Sequence, residues 1–404
     1  MTPAVGYTEM KDSGIEWVGK IPKEWKVTRM KTILQNVSEK NHPDATVLSL
    51  YRDLGVVPKN SRDDNHNVTS EDTSNYKFVR CGDLVINKMK AWQGSLAVSE
   101  FEGIVSPAYY VCKFISNSTD KKYLHYLLRC RPYAQEFERL STGMRVGQWD
   151  LGIDDFLRIP VICPSISEQS AIAAYLDSQC AKIDEIIAEA KASIEDYKQW
   201  KASIIYEAVT KGLDPNAEMK DSGIEWIGEI PMGWEIKKAK KCVTITNGAD
   251  PKTEGNIPVY GSGAESFKTC GEYKEGPTVL IGRKGATLHI PHYITGRYWN
   301  VDTAFDAKAK VGFSLKYYYF LAYSFDYKYY ISQTTLPSMT QTNYNNIFLP
   351  VPPKETQDLI SRVLSTRIEK IDAYIDEKKS LVTDLESYKK SLIYEVVTGK
   401  RRVC

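Results

Sequence analysis

One clause occurs twice in this chain: "MKDSGIEWVGKIP" begins at Met10, and "MKDSGIEWIGEIP" begins at Met219. A match of this length is not accidental, so any fold must build one piece of structure twice. A Trp-bearing tail follows each copy, "IPKEWKV" from Ile21 and "IPMGWEI" from Ile230. The copies then diverge, and similarity returns where "RIPVICPSISEQ" from Arg158 answers "FLPVPPKETQ" from Phe348. From Lys182 and Lys370 onward the two stretches pair without gaps, through "IYEAVT" in one and "IYEVVT" in the other. The order is clause, variable block, helix, and then the same again.

The helical reading rests on spacing. Leu176, Cys180, Ile183, Ile187, Ala190, Ile194 and Tyr197 recur by steps of four and three. Leu364, Ile368, Ile371, Ile375, Val382, Leu385, Leu392 and Val396 do the same, with Lys378 and Lys389 interrupting the stripe. An a/d stripe of this kind specifies a narrow coiled-coil seam rather than a broad globular face. Each segment carries helix-start signals, a Pro with nearby Ser or Thr and then Glu. At roughly 45 residues and 1.5 Å per residue, each helix would reach about 65 Å. Two similar helices pair most simply with each other about a pseudo-two-fold axis. That makes them antiparallel and sets one variable block at each end of a rod. Gly14 and Gly223 then suit the turns of a joint used twice, with Trp17, Trp25, Trp226 and Trp234 as packing residues.

The blocks differ but share landmarks in one order. "GDLVINKMKAWQGS" from Gly82 parallels "GPTVLIGRKGATLH" from Gly276, an apolar strand running into a basic turn. "IVSPAYYV" from Ile104 parallels "NVDTAFDA" from Asn300, and an aromatic helical segment follows in each. Last come two polar loops, "LSTGMRVGQWDLG" from Leu140 and "SQTTLPSMTQTNYNN" from Ser332. Short strands, Gly-rich turns and small helices indicate an α+β head of roughly 130 residues.

A cation where the chain leaves a strand is placed to meet a phosphate or the O6/N7 edge of guanine, and Gln or Asn can pair with adenine. The candidate nucleic-acid contacts are Lys88, Lys90, Gln93, Arg145, Gln148 and Trp149 in the first head. In the second they are Asn247, Lys252, Ser262, Arg283, Lys284, Thr287, Ser338, Thr340, Gln341 and Asn343. "NGADPKTEGNIPVYGSGA" from Asn247 reads as a loop whose backbone closely approaches a ligand. The tyrosine run from Tyr317 to Tyr330 reads as core.

Several function classes are disfavoured. The chain of 404 residues has a formal charge of only +2, so a DNA-binding surface must be local. Its eight cysteines form no CxxC pair, which points to reduced thiols rather than zinc or disulfides. The start lacks a signal-peptide pattern and no run has the length of a membrane span, so a soluble cytoplasmic protein is expected. No Walker loop and no Asp/Asn-Pro-Pro-aromatic tetrapeptide is present, and the ExK triplet from Glu272 to Lys274 has no acidic partner at nuclease spacing. His289 and His292 gather no further ligands, so no metal is expected.

Taken together, the two "KDSGIEW" clauses, the "IPV" and "LPV" exits, the "EQ" and "ETQ" helix starts and the paired "KID" helices resemble the specificity subunit of type I restriction–modification systems. The resemblance spans essentially the whole chain. It implies two globular α+β target-recognition domains joined by two long antiparallel coiled-coil helices. The boundaries would be 1–164 and 213–352 for the domains, and 165–212 and 353–404 for the spacer helices. It implies a non-catalytic subunit that binds double-stranded DNA at a bipartite asymmetric sequence with a fixed gap. Two methyltransferase subunits using S-adenosylmethionine would dock on the helices, and Leu176, Ile183, Ile187, Ile194, Leu364, Ile371, Ile375 and Leu385 would pack the helices or the partners. Two restriction/translocase subunits using ATP and Mg would complete the complex, and this chain would bind no cofactor of its own. The rod would then act as a ruler. The rival readings are a coiled-coil scaffold whose heads bind protein, and a self-contained nuclease or methyltransferase.

Overall fold

The computed structural model describes residues 6–52, 54–61, 72–145, 148–263, 265–327, 330 and 337–403. Two compact units emerge: residues 1–189 with 381–404, and residues 190–380. The long helices Ile166–Thr210 and Lys354–Val397 are each continuous and contribute residues to both units.

In the first unit the clause is a hairpin, Met10–Asp12 against Lys20–Pro22. The sequence dictates its turn: Asp12 Oδ1 accepts from Gly14 N–H at 2.8 Å, and Ser13 Oγ from Ile15 N–H at 3.0 Å. Gly14 and Gly19 hold φ of 71° and 72°, left-handed values that favour glycine. Strand Lys26–Arg29 then pairs with the exit strand Pro160–Cys163. Between them lies an antiparallel sheet in the order Leu34–Val37, Tyr109–Phe114, Leu84–Asn87, Leu96–Val98. Helices Lys121–Arg129 and Arg131–Leu140 bury Tyr123, Leu127, Tyr133 and Phe137 in the main core of this unit.

The second unit repeats this plan. Met219–Asp221 pairs with Glu229–Pro231, and Asp221 and Ser222 accept from Gly223 and Ile224 as their counterparts do. Glu235–Lys238 pairs with Phe348–Val351. The sheet order is Val243–Asn247, Ala304–Ala309, Thr278–Gly282, His292–Ile294, matching the first unit strand for strand. A second sheet, Lys268–Cys270, Ile257–Tyr260, Arg297–Asn300, Lys274–Glu275, has its counterpart among the described residues of the first unit, where the hairpin Leu48–Tyr51 with Gly55–Pro58 and the pair Gly103–Val105 with Lys77–Val79 are joined by the parallel bridge Val47–Ile104. Of the tyrosine run, Tyr317, Tyr318 and Tyr327 are buried as expected of core, Tyr319, Tyr323 and Tyr330 are half-buried, and Tyr329 lies outside the described residues.

Within each unit the long helices run antiparallel. In the first, the Val397 carbonyl meets the Tyr123 hydroxyl beside the exit strand, while Lys389 reaches Asp184 at 2.6 Å. In the second, the Val209 carbonyl meets the Tyr317 hydroxyl beside the other exit strand. There Lys201 meets Asp372 at 2.8 Å and Tyr197 stacks on Tyr374 at 5.9 Å. Lys389 is thus no defect in the stripe, because a facing aspartate neutralises it.

The narrow-seam expectation needs correction at the helix ends. Ile172, Ala173, Leu176, Leu392, Val396 and Val397 lie in the core of the first unit, and Ile205, Ala208, Val209, Ile360, Leu364 and Ile368 in that of the second. Each end is therefore a broad globular face. Ile183, Ile187, Ile371 and Ile375 are buried, while Ile194 and Leu385 are only half-buried.

The "EQ" and "ETQ" starts also do more than begin a helix. Gln169 is fully buried, donates to Pro164 O at 3.0 Å and Ser118 O at 3.1 Å, and accepts from Asp120 N–H at 2.8 Å. Gln357 donates to Pro352 O at 2.8 Å and accepts from Ser314 N–H at 2.8 Å. Each amide fastens the start of a head helix to the start of a long helix, satisfying backbone groups that would otherwise be buried without partners.

Candidate nucleic-acid interface

In the first unit the central strand Leu84–Asn87 is wholly buried, and the chain emerges from it as Lys88, Met89 and Lys90. Asn87 shapes this exit: its Oδ1 accepts from Met89 N–H at 3.1 Å and its carbonyl from Lys90 N–H at 3.0 Å. The polar loop folds into a hairpin, Thr142–Arg145 against Gln148–Asp150, beside that turn. Leu151 N–H donates to Lys88 O at 3.0 Å, and Lys88 Nζ lies 2.9 Å from Asp150 Oδ2. The hydrogen bond to this carboxylate raises the Lys88 pKa. Trp92 and Trp149 pack at 5.4 Å, and Arg52 donates to Gln93 Oε1 at 2.8 Å. Lys88, Lys90, Gln93 and Trp149 therefore share one surface, and Arg145 and Gln148 belong to its hairpin by their backbones. The side chains of those last two lie outside the described residues.

The second unit makes the same arrangement from other residues. Strand Thr278–Gly282 is buried, and Arg283 and Lys284 follow it. Arg283 N–H donates to Thr303 O at 2.8 Å, Met339 N–H to Arg283 O at 2.9 Å, and Gly285 N–H to Pro337 O at 3.1 Å. Lys284 forms a bridge with Ser338, and Thr287 Oγ1 donates to Ser262 O at 3.0 Å. Three separated stretches thus place Ser262, Arg283, Lys284, Thr287 and Ser338 together, and Lys284 is exposed. The Arg283 guanidinium donates to the Asp302 carbonyl at 3.2 Å. Asn247 pairs with Phe305, two strands across from Ile281, so it sits at the same end of the sheet.

The remaining expected residues have other surroundings. Thr340 caps helix Gln341–Asn346 by accepting from Asn343 N–H at 3.0 Å. The Gln341 amide donates to Ile245 O at 2.5 Å and the Asn343 amide to Tyr330 O at 2.8 Å, so each has a donor engaged within the fold. Lys252 belongs to a loop pinned by Glu272, whose carboxylate takes the N–H groups of Lys252 and Thr253 and the Thr253 hydroxyl. These bonds draw the Glu272 pKa from 4.5 down to about 2.

The glycine-rich loop corrects an expectation. A Cβ at Gly248 would stand 2.1 Å from Val301 O, and one at Gly255 2.6 Å from Cys270 O. These two glycines admit the protein's own backbone, whereas Gly263 of the same stretch has open space where a Cβ would stand. Sequence reading also missed Arg52, Trp92, Asp150, Asp302 and Thr303. The last two stand inside the quoted "NVDTAFDA", which served only as a landmark.

Among the described residues no His, Cys, Asp and Glu side chains gather into a metal-binding group, and no helix is long and apolar enough to cross a membrane. The cysteines described are free, and burial pushes those at 112 and 130 up to about 12.

Two heads built alike, each ending a buried strand in a basic turn beside a polar segment, define a protein with two related recognition modules. The family model of the type I restriction modification DNA specificity domain matches residues 22–196 and 231–382. The chain belongs to this family, and its role is DNA sequence recognition in a type I restriction–modification system. It is 22% identical over 429 residues to the putative type I restriction enzyme MjaX specificity subunit of Methanocaldococcus jannaschii, covering 96% of each chain. It is 23% identical to the MjaVIII specificity subunit of the same organism, covering 95% of this chain and 94% of that one. A structure described as the basis of complex assembly and conformational transition of the type I R-M system superposes with a TM-score of 0.71 at 14% identity. It covers 93% of this chain and 98% of that one. The HsdS subunit from Thermoanaerobacter tengcongensis gives 0.52 at 14% identity, over 96% and 99%.

Proposed function

We propose that each unit reads one half of a bipartite, asymmetric DNA sequence, with the unread gap set by the long helices. One observation carries this reading: the same strand, turn and polar segment recur with different side chains. Lys88, Lys90, Gln93 and Trp149 face one half-site. Ser262, Arg283, Lys284, Thr287 and Ser338 face the other, with Asn247, Lys252, Thr340, Gln341 and Asn343 around them. Arg145 and Gln148 join the first set from their hairpin. The cations position the phosphates, and the polar groups read base edges.

The chain is a non-catalytic cytoplasmic subunit. Adenine methylation belongs to two modification subunits using S-adenosylmethionine, and ATP- and Mg-dependent translocation and cleavage to two restriction subunits. The amino group to be methylated is shielded in the duplex, so a partner extrudes that base while this chain holds register. Docking falls on exposed apolar residues that the repeat preserves. Ile186 and Tyr388 in the first unit are 44% and 38% exposed, and their repeat equivalents Tyr374 and Trp200 in the second are 51% and 52% exposed. One patch per unit fits two copies of one partner. Trp200→Ala with Tyr374→Ala should remove one modification subunit from the purified complex, read by native mass spectrometry.

Methylome sequencing of a host expressing the chain with its partners tests the main reading. Two unlike methylated half-sites at one constant gap are expected. A single continuous motif, or no motif, overturns it. Inserting one heptad into both helices should lengthen the gap by about three base pairs.

A further inference from the structure

Beside the basic turn of the second unit stands an apolar side chain outside the sets above. Phe267 is 60% exposed, where a ring of this size is ordinarily inside. It is nonetheless held in place. Its N–H donates to Val259 O at 3.2 Å, and strand Lys268–Cys270 begins at the next residue. A Cβ built on Gly261 would stand 3.7 Å from Phe267 Cε1 and 2.9 Å from Thr303 Oγ1. Thr303 is the residue whose carbonyl accepts from Arg283 N–H. The ring therefore borders the surface made by Ser262, Arg283, Lys284 and Thr287.

We propose that Phe267 is a specificity-determining residue that reads the 5-methyl group of one thymine in the recognised DNA. This deepens the proposed function and rests on the interface lying at this turn. The major groove offers one apolar feature for a ring to select, the thymine methyl. A wedge driven between base steps is another use of an exposed ring on DNA, and it lays the ring's faces against bases. Here the Lys268 ammonium lies 5.5 Å from the ring centroid and covers one face. An edge and the other face remain, which suit lateral contact with a methyl. Lys268 over the ring and the exposed Lys284 of the adjoining turn are cations that can meet phosphates, and such contacts fix register without reading sequence.

The test uses the full chain bound to its modification partners and the target defined by methylome sequencing. Each thymine of that target, on both strands, is replaced in turn by deoxyuridine, which removes only the methyl. At one position the wild-type complex should lose about fourfold in affinity, the transfer value of one buried methyl. Phe267→Ala should lose a similar factor on the natural target and be indifferent to deoxyuridine there, while Phe267→Leu keeps part of the discrimination. A scan with no sensitive position, or undiminished sensitivity in Phe267→Ala, overturns the proposal. Lys284→Ala separates the two levels, because loss of a phosphate contact weakens all sequences alike and lowers the salt slope. If Lys284→Ala changes neither, the interface is misplaced and the proposal falls with it. If it behaves as expected and the scan is flat, only the role of Phe267 falls.

Discussion

The two units build the same joint between helix end and clause by opposite routes along the chain. In the second, Tyr206 of the first long helix donates to Ile227 O, a separation of 21 residues. In the first, the matching carbonyl of Val18 accepts from Lys400 at 3.2 Å, a separation of 382 residues. Trp234 packs on Gly212, and Pro22 and Trp25 pack on Gly399. The joint is thus local in one unit and closed by the far end of the chain in the other. Closing a long loop costs more entropy, although the cost grows slowly with length. The geometry repeats, so packing and not chain order specifies it.

The largest expected effects attack this joint. Gly399 has φ of 70°, and a Cβ there would meet Pro22 Cδ at 2.3 Å. Gly399→Ala should destabilise the first unit by roughly 3 kcal/mol, from left-handed strain plus overpacking. At Gly212 the nearest atom is Trp234 Cζ2 at 3.2 Å, so Gly212→Ala should destabilise the second unit by about 1 kcal/mol, mostly strain. Hydrogen exchange resolved by unit would show which one loosens, and equal losses would refute the asymmetry.

Next comes the pair that should not differ. Gln169→Ala and Gln357→Ala each strand buried backbone groups, so each should lower stability by about 2 kcal/mol in denaturant titrations. A large disparity would mean the repeat is geometric but not energetic. Tyr123→Phe and Tyr317→Phe remove only a hydroxyl and should cost about 1 kcal/mol each. Lys389→Met and Lys201→Met break partly exposed ion pairs and should change stability by less than about 1 kcal/mol.

The smallest effect belongs to the second unit alone. The Glu272 carboxylate has its pKa depressed from 4.5 to about 2 by the bonds that pin the Lys252 loop. Its contribution is fully present above pH 4.5 and is lost as pH falls through about 2. Protection of the Lys252 and Thr253 amides, relative to the intrinsic exchange rate at each pH, should fall over that window, and in Glu272→Gln it should no longer vary with pH there.

Much of this architecture was legible in the residues. The clause hairpin follows from local chemistry, since Asp, Ser and Gly at fixed offsets bond to their own neighbours, and the long helices follow from apolar periodicity. The strand-and-turn landmarks also marked the right exits from the sheets. The site was legible only in pieces. Lys88 and Lys284 could be named, but not that Asp150 lies against the first or that Ser338 bridges to the second. The spacing of "NGADPKTEGNIPVYGSGA" could not distinguish a ligand from the protein's own strand as the neighbour of Gly248.

The sequence by itself determined the repeat, the helices and the turn that joins each head to them, because these depend on contacts within a few residues or on a periodic face. Only the tertiary structure decided what the long-range partners are: Val397 against Tyr123, Gln169 under Ser118, Phe267 beside Gly261 and Thr303. Those pairings depend on shape and on buried polar groups finding partners across many residues, and no local pattern encodes them.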